Sequence, residues 1–189
     1  MDPKTQLRLA LRRARRTAAE AAPQAAHQAA AHLPGAFLGR FSVVAGYHPQ
    51  GAELDPFPLL ERLVAAGARA CLPFALARDA PLVFRAFVPG QALETDAFGL
   101  PAPPADAEPR VPELVITPLL GFDRRGGRLG QGAGCYDRTL AALRAQGPVF
   151  ALGLAYAAQE TGAAPCEPHD QLLDAILTEK GYIPVEKDI

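Results

Sequence analysis

Between Thr117 and Asp137 the chain reads TPLLGFDRRGGRLGQGAGCYD, and no other run limits its fold as strongly. An apolar strand end comes first, then the acid Asp123, then Arg128 and three alternating glycines, Gly130, Gly132 and Gly134. Tyr136 and Asp137 follow where a helix should begin. This order sets bare backbone N–H groups beside a guanidinium and a helix N-terminus, which together make a site for phosphate. The run fits neither standard glycine fingerprint. A G-x-G-x-x-G pattern starting at Gly130 needs glycine at Cys135, and one starting at Gly132 needs it at Asp137. The nucleotide-loop signature ending in Gly-Lys-Ser/Thr is absent as well. Gly126-Gly127 alone reads as a tight hairpin, but a hairpin requires neither Arg128 nor the later glycines.

The rest of the chain alternates apolar strands with helices. Residues 3 to 20 read as a helix, with Leu7, Leu11, Ala14 and Ala18 forming one apolar stripe. At about 100° per residue, Lys4, Arg8 and Arg15 fall on one edge of that stripe. There the stems can pack while the charges reach an adjoining site. Arg12, Arg13 and Arg16 read as a solvated face. Pro23 interrupts the helix, which resumes to about Leu33. Strands are expected at Phe41 to Tyr47, Arg69 to Pro73, Leu82 to Val88, Leu114 to Pro118, Val149 to Tyr156 and Ala175 to Thr178. Helices are expected at Pro56 to Ala66, with Asp55 as cap, and at Tyr136 to Ala145. The stretch 99 to 112 holds five prolines and reads as an extended surface connection. This alternation predicts an α/β fold: three-layer α/β/α, a mostly parallel, Rossmann-like sheet with helices on both faces. Ligands of such sheets bind outside the carboxyl ends of the strands.

Composition narrows the function by exclusion. A net charge of −1 gives no reason to expect nucleic acid as a partner. No apolar run reaches the length of a membrane span, and the N-terminus lacks the apolar stretch of a secretory signal. The three cysteines, Cys71, Cys135 and Cys166, form neither a metal spacing nor a redox pair, as expected of reduced thiols in a cytoplasmic protein. The single serine, Ser42, lies inside a predicted strand, which argues against serine-nucleophile chemistry. No H-x-x-x-H spacing suggests zinc.

The glycine-rich run also resembles one family, 5-formyltetrahydrofolate cyclo-ligase, also called methenyltetrahydrofolate synthetase. The resemblance passes through Pro118, Gly121, Phe122, Asp123, Gly127 (or Gly126), Arg128, Leu129, Gly130, Gly132, Gly134, Tyr136 and Asp137. It extends to Lys4, Leu7 and Arg8 at the start and to Glu53 after the first strand. Phe84-Arg85, Pro89-Gly90 and Phe98-Gly99-Leu100 carry weaker middle motifs, and Asp170, Asp174, Thr178, Glu179 and Gly181 carry the ending. It implies a single cyclo-ligase domain over residues 1–189, monomeric and cytoplasmic. It also implies ATP, Mg²⁺ and a reduced folate as small-molecule partners, with no nucleic acid and no membrane.

By the same resemblance, Lys4 and Arg128 are catalytic. Lys4, Arg8, Arg128, Leu129, Gly130, Gln131, Gly132, Ala133, Gly134, Cys135 and Tyr136 bind ATP. His48, Glu53 and Tyr136 line the substrate, and Asp137 and Asp170 hold the metal. Helix capping is the alternative for Asp137 and a turn for Asp170. Three residues depart from the pattern: Gln131 and Ala133 stand where some members carry Arg and Lys, and Cys135 replaces the first of two tyrosines. A paralogue acting on another formyl or amide compound therefore stays open, as does, from another class, a nucleic-acid module built on the basic helix.

The edge position separates Lys4 from Arg16. Lys4→Ala should lower nucleotide affinity by about tenfold, the worth of one charge-assisted bond, while Arg16→Ala leaves it unchanged. Equal losses in a nucleotide titration would reduce the helix to a net-charge effect.

Overall fold

A computed structural model of the chain describes residues 3–77 and 79–185. In chain order the elements are α1 (Pro3–Ala21), α2 (Ala25–His32), a 3-10 turn (Gly35–Phe37), β1 (Val43–Ala45), α3 (Phe57–Ala65), β2 (Arg69–Phe74) and β3 (Val83–Ala86). They continue with β4 (Glu94–Thr95), β5 (Pro101–Ala102), β6 (Leu114–Pro118), β7 (Gly121–Phe122), β8 (Arg128–Leu129) and α4 (Cys135–Arg144). β9 (Phe150–Leu154), a second 3-10 turn (Ala157–Gln159), β10 (Ala175–Thr178) and β11 (Gly181–Pro184) complete the chain.

Seven strands form the main sheet in the order β11-β10-β9-β6-β1-β2-β3. The five inner strands run parallel, and β3 and β11 close the edges antiparallel. Successive residues point to opposite faces of a strand, so a strand covered on both sides must be apolar throughout. Leu114-Val115-Ile116 shows this directly. Leu114 and Ile116 join Val44, Leu152 and Leu177 under α2 and α3. Val115 joins Val43, Ala45, Ala151 and Ile176 under Leu140 of α4. The three-layer α/β/α architecture expected from the alternation is therefore present.

Several boundaries differ from expectation. β1 is shorter than Phe41–Tyr47, although its ladder runs one bond further, from Gly46 N to Cys71 O. α3 starts at Phe57 after Pro56, and Asp55 acts one residue earlier than a regular cap, its Oδ1 accepting from Phe57 N at 2.9 Å. β3 ends at Ala86; Phe87 is still buried, but Val88 lies beyond the strand and is 66% exposed. The proline-rich stretch supplies β5 and then runs beside β3, where Ala86 N donates to Glu108 O and Arg110 N to Phe84 O. It thus shields an edge that would otherwise offer unpaired backbone groups. β11 was not anticipated. Its alternation is short, and pairing with β10 is what makes it a strand. No helix among the described residues is long and apolar enough to cross a membrane.

Beyond β6 the chain makes a separate hairpin, β7–β8, as Gly126-Gly127 suggested. Asp123 organises its turn: Oδ1 accepts from Arg125 N and Gly127 N, and Oδ2 accepts from Ala164 N of a distant loop. Gly126 has φ +84°, and a Cβ there would lie 2.6 Å from Leu173 O. Gly126→Ala should therefore cost about 1–3 kcal/mol, lowering the thermal midpoint by roughly 5 °C. Gly147→Ala, which meets open space, serves as control. Matching midpoints for the two variants would contradict this account of the turn.

Candidate active site

The sheet order determines where a site can form. From β1 the chain moves outward to β2 and β3 on one side, then returns to β6 on the other side of β1 and moves outward to β9, β10 and β11. The loops leaving the carboxyl ends of β1 and β6 diverge, and such a switch point leaves a crevice. A cavity of about 570 Å³ occupies it. Every residue proposed from sequence lines this cavity: Lys4, Arg8, His48, Glu53, the run Arg128 to Asp137, and Asp170.

The loop after β1 supplies one wall. The buried Tyr47 hydroxyl donates to Leu54 O, which folds the loop back on itself. The Glu53 carboxylate accepts from Gln50 N at 3.0 Å through Oε2, and its Oε1 lies 3.5 Å from Arg15 Nη1. His48 meets the Phe57 ring edge-on at 6.2 Å. Burial, then the nearby Glu53 carboxylate, raises the phenols of Tyr47 and Tyr136 above their ordinary range, so both remain neutral hydroxyls.

The hairpin and the glycine loop supply the opposite wall. Arg128 is buried at the end of the hairpin, where its Nη2 donates to Asp137 Oδ1 at 2.6 Å and its Nη1 donates to Gln171 O. Burial lowers its guanidinium pKa, while Asp137 and then Asp170 pull it back up; arginine nevertheless stays cationic near neutral pH. Asp137 Oδ1 also accepts from Gln171 N at 2.9 Å. α4 begins at Cys135, with Gly134 at its N-cap, so its positive end opens on the cavity.

α1 lies against this wall through Leu7 and Leu11, which pack on Leu120 and Leu129. A Cβ on Gly121 would come within 2.6 Å of Leu11 Cδ1, so the bare glycine permits the approach. The same packing brings Arg8 Nε to Gly130 O at 3.2 Å. It also brings Arg12 Nε and Nη2 to Gln131 Oε1, at 3.3 and 2.9 Å. Arg12 thus differs from expectation: though exposed, it holds the glycine loop instead of facing only solvent. Lys4 Nζ bonds Glu167 Oε1 at 2.7 Å, and that contact lowers the Glu167 carboxyl pKa.

Asp170 closes a turn by accepting from Glu167 N at 2.8 Å through Oδ2. Asp137 and Asp170 line the cavity as two carboxylates. Among the described residues, no group of three or more His, Cys, Asp or Glu side chains gathers into a metal site. Two carboxylates beside phosphate oxygens and water suffice for Mg²⁺. The bonds that Arg128 Nη2 and Gln171 N donate to Asp137 both fall on Oδ1, which leaves Oδ2 for such an ion.

Sequence reasoning missed three parts of the site. Asp96, Phe98 and Leu100 form a further wall, in which Asp96 Oδ1 accepts from Phe98 N and Leu100 N, both at 2.9 Å. The sequence shows Phe98-Gly99-Leu100 only as a weak motif, with no role attached. Glu167 lines the cavity, and Arg15 is buried against Glu53. The helical arithmetic placed Arg15 beside Lys4 and Arg8, but nothing local signals a partner 38 residues away.

Comparison with known proteins gives the family and the fold. A 5-formyltetrahydrofolate cyclo-ligase of Mycolicibacterium smegmatis is 36% identical over 145 residues, covering 72% of this chain and 73% of that protein. The Escherichia coli protein of the same name is 35% identical over 131 residues, 67% of this chain and 71% of that one. The fold is similar to an Aquifex aeolicus 5,10-methenyltetrahydrofolate synthetase, with a TM-score of 0.81 at 24% identity over 100% of this chain and 95% of that one. A Mycoplasma pneumoniae 5,10-methenyltetrahydrofolate synthetase gives a TM-score of 0.66 at 26% identity, covering 94% of this chain and 99% of its own. The family model described as "5-formyltetrahydrofolate cyclo-ligase family" matches residues 1–179, and the chain belongs to that family of enzymes.

Proposed function

We propose that this protein is a 5-formyltetrahydrofolate cyclo-ligase that uses ATP and Mg²⁺ within one cavity at the β1/β6 switch point. One observation carries the reading: the same cavity is lined by an anion-binding end and by a carboxylate end. Arg8, Arg128, the glycine loop and the start of α4 form the first, and Glu53, Tyr47 and Phe98 the second. A triphosphate suits the first end. A pterin suits the second, since a carboxylate pairs with an aminopyrimidine edge and aromatic rings pack on its flat face.

The chemistry then follows from leaving-group ability. The formyl oxygen of 5-formyltetrahydrofolate is amide-like and departs poorly. Transfer of a phosphoryl group from ATP to that oxygen converts it to phosphate, and the nitrogen at position 10 displaces it as the ring closes to 5,10-methenyltetrahydrofolate. The protein's work is positioning and charge neutralisation. Lys4, Arg8 and Arg128 neutralise the phosphates. The backbone N–H groups of Gly130, Gln131, Gly132, Ala133, Gly134, Cys135 and Tyr136 cradle their oxygens, with Leu129 beneath. Asp137 and Asp170 would hold Mg²⁺, which would supply further charge neutralisation on the phosphates. His48, Glu53 and Tyr136 hold the folate. Gln131 and Ala133 carry no charge, but Arg8 and Arg12 reach the loop from α1, which offsets the departure. We read residues 1–189 as one monomeric, cytoplasmic domain.

The direct test is formation of the methenyl product, followed by its near-ultraviolet absorbance, with ATP and Mg²⁺ supplied or withheld. Product that forms only with both supports the reading. ATP binding with no turnover of 5-formyltetrahydrofolate favours a paralogue with another substrate.

Two variants probe the anion end. Arg128→Ala should weaken ATP binding by about tenfold or more and folate binding less. It should also lower stability by about 3 kcal/mol, because Asp137 loses the partner of a largely buried pair. Unchanged ATP affinity with a loss for folate would reverse the assignment. Cys135 lines the cavity at the start of α4, so a thiol reagent should slow the enzyme, and bound ATP should protect it. Modification at the same rate with and without ATP would place Cys135 outside the nucleotide site.

A further inference from the structure

Arg15 is among the few charged side chains buried in this protein, with 7% of its surface exposed. Its Nη1 faces Glu53 Oε1 at 3.5 Å, and both side chains are more than nine-tenths buried. Its Nε is buried with no hydrogen-bond partner among the described residues. Tyr47 and Tyr156 lie close enough to feel its charge. Glu53 lines the cavity and Arg15 does not. A buried ion pair contributes little net stability compared with an apolar pair of similar volume, so its presence calls for another account.

We propose that Arg15 is a positioning residue for the folate end of the cavity, holding the Glu53 carboxylate oriented toward the ligand; this rests on the cyclo-ligase reading. The geometry leaves Glu53 available. Its Oε2 takes one backbone bond from Gln50 N, and its Oε1 takes only the long contact from Arg15, so each oxygen keeps acceptor capacity. A 2-amino-4-oxopyrimidine edge presents a ring N–H and an amino N–H side by side, a fork that matches both carboxylate oxygens. When that ligand enters, water leaves, and an isolated carboxylate becomes costly. The Arg15 guanidinium supplies the opposite charge from behind without occupying the cavity. One edge of α1 then serves both ends, with Lys4 and Arg8 toward the phosphates and Arg15 toward the pterin. Lys4 and Arg15 are roughly 16 Å apart along the helix axis.

The test is steady-state kinetics on Arg15→Met, Arg15→Lys, Glu53→Gln and the double variant Arg15→Met/Glu53→Gln, with KM measured separately for 5-formyltetrahydrofolate and ATP. Arg15→Met should raise the folate KM by about tenfold or more while the ATP KM stays within about twofold. Arg15→Lys should recover part of that loss. On the Glu53→Gln background, Arg15→Met should add almost nothing to the folate KM, because the carboxylate it serves is gone. An unchanged folate KM in Arg15→Met would overturn the proposal, as would a parallel rise in both KM values. If Arg15→Met does not fold, the double variant removes both buried charges together. A folate KM equal to that of Glu53→Gln then supports the proposal, and a further full loss overturns it. A wild-type chain with no saturable turnover of 5-formyltetrahydrofolate sinks the cyclo-ligase reading and this proposal with it. An active wild type with an unperturbed Arg15→Met sinks this proposal alone.

Discussion

The contact between Leu11 and the bare Cα of Gly121 is the constraint on which the site depends. α1 lies against the β7–β8 hairpin. It is seated by Leu7 and Leu11 against Leu120 and Leu129, at a distance that a side chain on Gly121 would forbid. Because α1 carries its cations on the edge of that apolar stripe, seating the stripe places the charges. Lys4, Arg8, Arg12 and Arg15 then reach Glu167, Gly130, Gln131 and Glu53 in turn. A small displacement of the helix would move all four together.

The second constraint is topological. Covering both faces of a parallel sheet leaves only the strand ends for a ligand. The reversal of strand order between β1 and β6 opens the crevice there. The walls are then tied to one another by buried polar contacts. Asp123 joins the hairpin to the loop at Ala164, Gln159 donates from its side chain to Leu119 O and Leu120 O, and Arg128 links the hairpin to Asp137 and Gln171. Each of these side chains satisfies backbone or charged groups that would be expensive to bury alone. The glycine loop is thus anchored at its base by the hairpin and by Arg128.

Much of this was legible in the sequence because it is written locally. The run LVITP is apolar at every position, which marks a strand buried on both faces, and the hairpin, glycine loop and α4 follow it in register. The cation edge of α1 came from helical spacing alone. What was not legible depends on distant partners. Arg12 looks like an ordinary surface arginine until Gln131 is brought beside it, and Arg15, though on the stripe's edge, has no visible partner until Glu53 is. The Asp96–Leu100 wall is built by an aspartate that turns its own backbone, a motif too common to flag. Gly181–Pro184 becomes a strand only because β10 is there to pair with it.

One cavity is lined both by Arg8, Arg128 and the glycine loop and by Glu53 and Tyr47, and we propose that nucleotide and folate divide it between them. Hydrogen–deuterium exchange measured with each ligand alone tests this directly. A non-hydrolysable ATP analogue with Mg²⁺ should slow exchange in the glycine loop and the start of α4, around Gly130 to Tyr136, and leave the loop from Tyr47 to Glu53 largely unaffected. 5-Formyltetrahydrofolate should do the reverse. Protection of the same segment by both ligands, or protection by either one remote from this cavity, would contradict the account.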